Sequence, residues 1–173
     1  MIVVIERGNV KMFTIREGVF ETNSSSTHSI ALNPKSYSKY EAKFHEVNSE
    51  NKIQVRLGSY GWGYEVLYSS DEKLSYIMTM LVLNLIDFGW STLEEVYDSE
   101  MFKEFQNEIV KNTDYSGIEI IGVDQNHLNT GEFYIDHQSY YGNYKKFLED
   151  YNLTLFEYLF NSRYFVIIDN DNR

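Results

Sequence analysis

The chain has 173 residues, 43% of them hydrophobic, which suits one globular domain with a sizeable core and argues against disorder. Its net charge of −11 argues against nonspecific DNA binding through phosphates and suits a basic partner instead, including a protein groove that normally holds nucleic acid. The absence of cysteine excludes a disulfide framework, a thiolate nucleophile and a cysteine zinc site.

From the N-terminus, Ile2 to Ile5 and Val10 to Ile15 are β-rich runs around Gly8-Asn9, a hairpin signal. The opening residues carry Glu6, Arg7 and Lys11 and do not read as a signal peptide, so the protein is expected inside the cell. Phe20 to Ile30 reads Phe-Glu-Thr-Asn-Ser-Ser-Ser-Thr-His-Ser-Ile, a polar run with an apolar residue at each end. Burying that many hydroxyls unpaired would cost about 1–3 kcal/mol each. The run is therefore expected as a polar loop held against a core, where sites usually sit. A short strand over His28 to Leu32 ends at Asn33-Pro34, and Lys35 to Asn51 reads as a long loop with room for a short helix.

Ile53 to Leu57 alternates apolar and polar residues, as a half-buried strand does. Gly58 to Tyr64 sets three glycines among aromatics, and lacks the Gly-Lys-Ser/Thr of a phosphate loop. Trp62 is expected to anchor this loop by packing. Ser69 and Glu72 have capping-box spacing and open a helix over Asp71 to Asp87, with Leu74, Ile77, Met78, Leu81, Leu85 and Phe88 on its core face and Gly89 as its stop. Ser91 or Thr92 caps a second helix to Asn112, with Val96, Phe102, Phe105 and Ile109 inward, and the two are expected to form a helical hairpin. The apolar run Gly117 to Val123 predicts a central strand, and Asp124 to Gly131 a loop. Glu132 to Ser139 reads as a strand, Lys145 to Phe160 as a helix with a break near Asn152, and Arg163 to Ile168 as a last buried strand. There is no internal repeat and no linker. The order of elements predicts a single α+β domain over 1–173, with a mixed or antiparallel sheet, a helical hairpin and a C-terminal helix.

His45 and His127 read as surface residues. His28 and His137 each have hydroxyls or a carboxylate beside them in sequence. If their strands are neighbours, the pair has the groups for general acid–base work, or for binding a metal with Asp136. The plain alternative is two structural histidines bonded to local oxygens. The template of phosphoesterases with two His-x-Thr/Ser motifs is met by His137-Gln138-Ser139 but not by His28-Ser29-Ile30. A nucleophile from Ser24, Ser25 or Ser26 with His28 as base lacks a Gly-x-Ser-x-Gly elbow, and the hydroxyls equally suit turn capping. No fixed spacing supports a carboxylate metal site from Asp124, Asp136 and Asp169.

Arg16 to Ile30 resembles an N-terminal signature of proteins from tailed bacteriophages and related prophages, with the block Phe-Glu-Thr-Asn-Ser-Ser-Ser-x-His-Ser. Two shorter blocks are similar as well: Gly61-Trp62-Gly63 ahead of Leu74-Ser75-Tyr76, and Asp136-His137-Gln138-Ser139. The resemblance implies a viral origin, action in the cytoplasm of a bacterial host, and a polar site using Thr22, Asn23, Ser24, Ser25, Ser26, His28, Asp136 and His137. It carries no catalytic role, and the cofactor stays unknown. Two functions follow as expectations. One is an anti-defence inhibitor, anti-CRISPR-like, that binds a host defence protein or ribonucleoprotein through an acidic, Tyr-rich surface, with Trp62 among its contacts. The other is a small enzyme acting on a nucleotide or nucleic acid with His28, His137 and Ser26, in which Gln138 and Ser139 help bind. Neither excludes a nucleotide or RNA fragment at the polar site, and neither involves a membrane.

Overall fold

The computed structural model describes residues 2–6, 9–13, 26–32, 43–136 and 142–170, with backbone alone for 2–6, 9–13, 26–27 and 170. Strands and helices share one hydrophobic core, and the class is α+β as the order of elements predicts. Strands β1 (Ile2–Glu6) and β2 (Asn9–Phe13) form the expected antiparallel pair, with Glu6 opposite Asn9.

The described strands form four small sheets where a single sheet is expected. In the largest, β9 (Tyr164–Asn170) lies between β3 (Ser26–Leu32) and β6 (Glu65–Leu67), antiparallel to both. Val166 and Ile168 of this middle strand are fully buried. A second sheet pairs β4 (Lys52–Arg56) with β7 (Gly117–Ile121) in parallel. Thus β7, expected as a central strand, has one partner among the described residues. Its apolar character comes from packing, since its face lies against a helix and Ile118 and Ile120 are buried. A third sheet pairs the two-residue strands β5 (Ser59–Tyr60) and β8 (Tyr134–Ile135) in parallel, so the expected strand from Glu132 starts two residues later.

No helix forms over 43–51. The chain instead makes an antiparallel bridge between Val47 and Ile53. Asn48 holds the turn, its Oδ1 accepting from the backbone N–H groups of Glu50 at 2.9 Å and Lys52 at 3.0 Å. An Asn side chain that bonds its own turn competes with helix formation.

Helix α1 (Ser70–Asp87) starts with the predicted capping box: Ser69 Oγ accepts from Glu72 N, and Glu72 Oε2 accepts from Ser69 N. Leu74, Ile77, Met78, Leu81 and Leu85 are buried as expected, but so are Lys73, Tyr76, Met80 and Val82. This helix is enclosed on nearly all sides. Phe88, assigned to the core face from spacing, is 73% exposed, because it is the cap residue beyond the packed turns and Gly89 at φ +94° leads the chain away.

The second helix is two helices, α2 (Leu93–Asp98) and α3 (Glu100–Asn112). Ser99 stands between them in extended conformation and caps α3 by accepting from Phe102 N at 3.1 Å. The predicted inner residues Val96, Phe102, Phe105 and Ile109 are all buried. Helix α1 makes its larger helix–helix contacts elsewhere. The C-terminal helix is two short helices, α4 (Tyr144–Asp150) and α5 (Leu155–Phe160), separated at Asn152 with φ +53°, where the break was expected. Helix α1 packs against both, and α3 against α5 and β7. Edge-to-face rings join these elements, with Phe105 on Tyr144 at 5.1 Å and Phe147 on Tyr76 at 5.7 Å. Part of the tyrosine content is therefore core: Tyr60, Tyr76, Tyr144 and Tyr158 are buried.

Candidate functional site

Four residues from separate parts of the chain meet behind the three-stranded sheet. His28 lies in the middle of β3, opposite Ile168, and is only 3% exposed. Its Nδ1 is 2.9 Å from the hydroxyl of Tyr76 on α1. Its Nε2 is buried and has no hydrogen-bond partner among the described residues. The parallel β5–β8 pair brings in the other two. Asp136 follows β8 directly, and its backbone N–H donates to Tyr60 O at 3.0 Å. Tyr134 donates its hydroxyl to Asp136 Oδ1 at 3.2 Å.

Gly61 follows β5 with φ +105°, a conformation that side-chain-bearing residues rarely adopt. A Cβ added there would lie 2.5 Å from Asp136 Cβ and 3.3 Å from His28 Nε2. Glycine is thus what allows the imidazole and the carboxylate-bearing residue to converge. Burial lowers the His28 pKa to about 4, against the pull of Asp136 in the other direction. At neutral pH the ring is uncharged, with one nitrogen tied to Tyr76 and the other facing Gly61 and Asp136.

All three sequence blocks that carry the phage resemblance contribute here: His28 from the first, Gly61 and Tyr76 from the second, Asp136 from the third. Ser26 is placed by its backbone, opposite Asn170 at the start of β3. Thr22, Asn23, Ser24, Ser25, His137, Gln138 and Ser139 lie outside the described residues, and so does the expected pairing of His28 with His137. His45 and His127 are exposed as expected, and His45 pairs with Asp71. Among the described residues no group of three or more His, Asp and Glu is gathered to hold a metal.

A second feature lies at the surface. Trp62 does not anchor its loop by packing: it is 78% exposed, touching Tyr134 with ring centroids 5.9 Å apart. The turn at Gly61 breaks strand alternation, so Tyr60 takes the core position and the indole is left outside. Tyr64 and Tyr68 follow, 59% and 61% exposed. Glu65 of the same segment lines a cleft of about 370 Å³ together with Glu46, Asp71 and Glu72, with Arg56 as the one cation among the described lining residues. Val55, Leu67 and Leu74 are buried beneath it. Burial also raises the Glu65 pKa.

The partners Gly61, Tyr76 and Tyr134, and this cleft, were not among the residues that spacing singles out. Tyr76 falls outside the predicted core stripe of α1. The available signal was the recurrence of Gly61 and Tyr76 in the second block of the resemblance. Comparison with protein-family models, curated proteins and solved structures finds no match.

Proposed function

We propose that the protein is a binding protein that docks a basic surface of a host defence protein or ribonucleoprotein and blocks it stoichiometrically in the infected bacterial cytoplasm. The observation that supports this reading is the exposure of Trp62, Tyr64 and Tyr68 in one short segment whose Glu65 also lines the acidic cleft. Large exposed aromatics grouped together mark contact surfaces more often than chance solvent exposure. They are also the side chains that dominate binding energy when desolvated. The carboxylates of the cleft favour a cationic partner and speed its approach. No helix among the described residues is long and apolar enough to cross a membrane. The viral part of the proposal comes from the sequence resemblance, and the anti-defence part from the small size, the net charge of −11 and the tyrosine content.

The experiment is affinity purification from bacterial host lysate at low salt, with Trp62→Ala and Glu65→Lys run beside the wild type. A stoichiometric partner captured by the wild type, released by salt and lost from folded variants supports the proposal. A wild type that captures nothing, or variants that keep the partner, would overturn it.

The enzyme reading keeps one observation of its own, the convergence of the three sequence blocks on a buried imidazole whose Nε2 has no partner among the described residues. Its weakness is chemical. A base with a pKa of about 4, only 3% exposed, accepts a proton poorly at neutral pH and does not reach a substrate as it stands.

A further inference from the structure

Strand β6 is an outer strand of the three-stranded sheet, and among the described residues its one strand partner is β9. An outer strand leaves one row of backbone N–H and C=O groups for an incoming chain. The side chains of a strand added there alternate between the two faces of the sheet. Glu65 and Leu67 share one face and both line the cleft, whereas Val66, on the other face, does not. Every second residue of an added strand would therefore point toward the cleft.

The lining says which side chain suits it. Beneath the cleft Val55, Leu67 and Leu74 are buried, a floor for an aliphatic stem. Its four carboxylates face one guanidinium, and they are not equally engaged. Asp71 is held by His45 through both oxygens. Glu72 Oε2 accepts from the backbone N–H groups of Tyr68 and Ser69. Glu46 lies 4.0 Å from Arg56. Glu65, half-buried, makes no hydrogen bond or ion pair with a described residue.

We propose that the partner's recognition element is an extended segment that adds beside β6 and places one arginine side chain in the cleft, against Glu65. The open strand edge and the acidic, apolar-floored cleft are separate observations, and a peptide of this kind satisfies both. Backbone bonds to the edge supply affinity, and the side-chain pocket supplies selection. Arginine suits the cleft better than lysine, because a guanidinium is less strongly hydrated and its planar fork can bridge two carboxylates. The exposed rings of Tyr64 and Tyr68 stand directly at the two ends of β6 and give the segment apolar contacts on either side. This inference rests on the docking reading for the existence of a basic partner, and adds to it the form in which that partner is recognised.

The test is an NMR titration of the full chain at low salt with a blocked pentapeptide, Thr-Val-Arg-Val-Thr. Its counterpart with citrulline, which keeps the shape and loses the charge, and blocked arginine alone are run beside it. The expected result is saturable shifts at the amides of Glu65, Val66 and Leu67 and at the Glu65 carboxylate carbon. The citrulline peptide should bind about tenfold more weakly, and so should the arginine peptide to Glu65→Gln, checked for folding by its spectrum. Blocked arginine should bind more weakly than the pentapeptide. Four results would each overturn the proposal: no saturation up to ~10 mM peptide, equal affinity for citrulline, shifts that spare β6, or blocked arginine binding as well as the peptide. A host partner captured from lysate by a wild type that fails with the arginine peptide would strike this inference and leave the docking reading standing.

Discussion

Lys73 shows how much a single side chain can cost this fold. It is 1% exposed on α1, with Nζ donating to Tyr164 O at 3.3 Å and lying 5.9 Å from the Tyr158 ring centroid. Among the described residues no carboxylate pairs with it in a salt bridge, and burial lowers its pKa from 10.5 to about 8, with Glu72 pulling the other way. A drop of that size corresponds to roughly 3 kcal/mol of destabilisation while the ammonium is charged. Because the folded value is the lower one, the unfolded chain holds the proton more tightly between pH 8 and 10.5. Stability from this group is therefore fully present above about 10.5, and is lost as the pH falls to about 8. Lys73→Met keeps the aliphatic stem and removes the buried charge. It gives up one long hydrogen bond, a loss of about 1 kcal/mol. The expected outcome is a variant more stable at pH 7 by about 1–2 kcal/mol, measured by urea unfolding. The gain should shrink between pH 8 and 10.5, as the wild type sheds its proton.

The same balance at the level of elements explains which parts could be read from the chain. Helix α1 was legible because its cap, its apolar spacing and its glycine stop are all local signals. The break at Ser99 was not, since Ser inside a helical pattern is tolerated, and only the packing of α3 against β7 and α5 shows that it works as a cap. Strands β5, β6 and β8 have two or three residues each, too few for a period to emerge. For the candidate site, His28 and Asp136 were legible as chemistry-bearing residues. Their meeting was not, because it depends on the register Tyr60 opposite Ile135 and on the missing Cβ of Gly61. That joint is testable. Gly61→Ala combines a strained positive φ with a contact to Asp136 Cβ at 2.5 Å, and neither can relax without separating β5 from β8. We expect a loss of about 2–4 kcal/mol in urea unfolding. We also expect faster hydrogen exchange at the Asp136 amide, which now bonds Tyr60 O. Equal stability of the two proteins would mean that the joint does not constrain the site.

At the scale of the molecule, fold and function draw on the same charge with opposite signs. A net charge of −11 on 173 residues repels itself in the compact state, and four carboxylates concentrate part of it around one cleft. Few ion pairs offset this strongly: the described bridges, such as Lys52 with Glu50 and Lys103 with Asp98, are solvent-exposed, where a pair contributes little. Added salt screens the repulsion, so the free protein should become more stable as ionic strength rises from about 20 to 200 mM, where the Debye length falls below ~10 Å. A gain of about 1 kcal/mol would appear as a rise of ~2–4 °C in Tm for a chain of this size. A complex with a basic partner should respond the other way, losing affinity and association rate over the same range. Calorimetry of the free protein and binding kinetics of the complex therefore give opposed salt slopes if the acidic face is the contact surface. Parallel slopes, with binding strengthened by salt, would place the contact on apolar groups such as Trp62 and Tyr64 and remove the carboxylates from recognition.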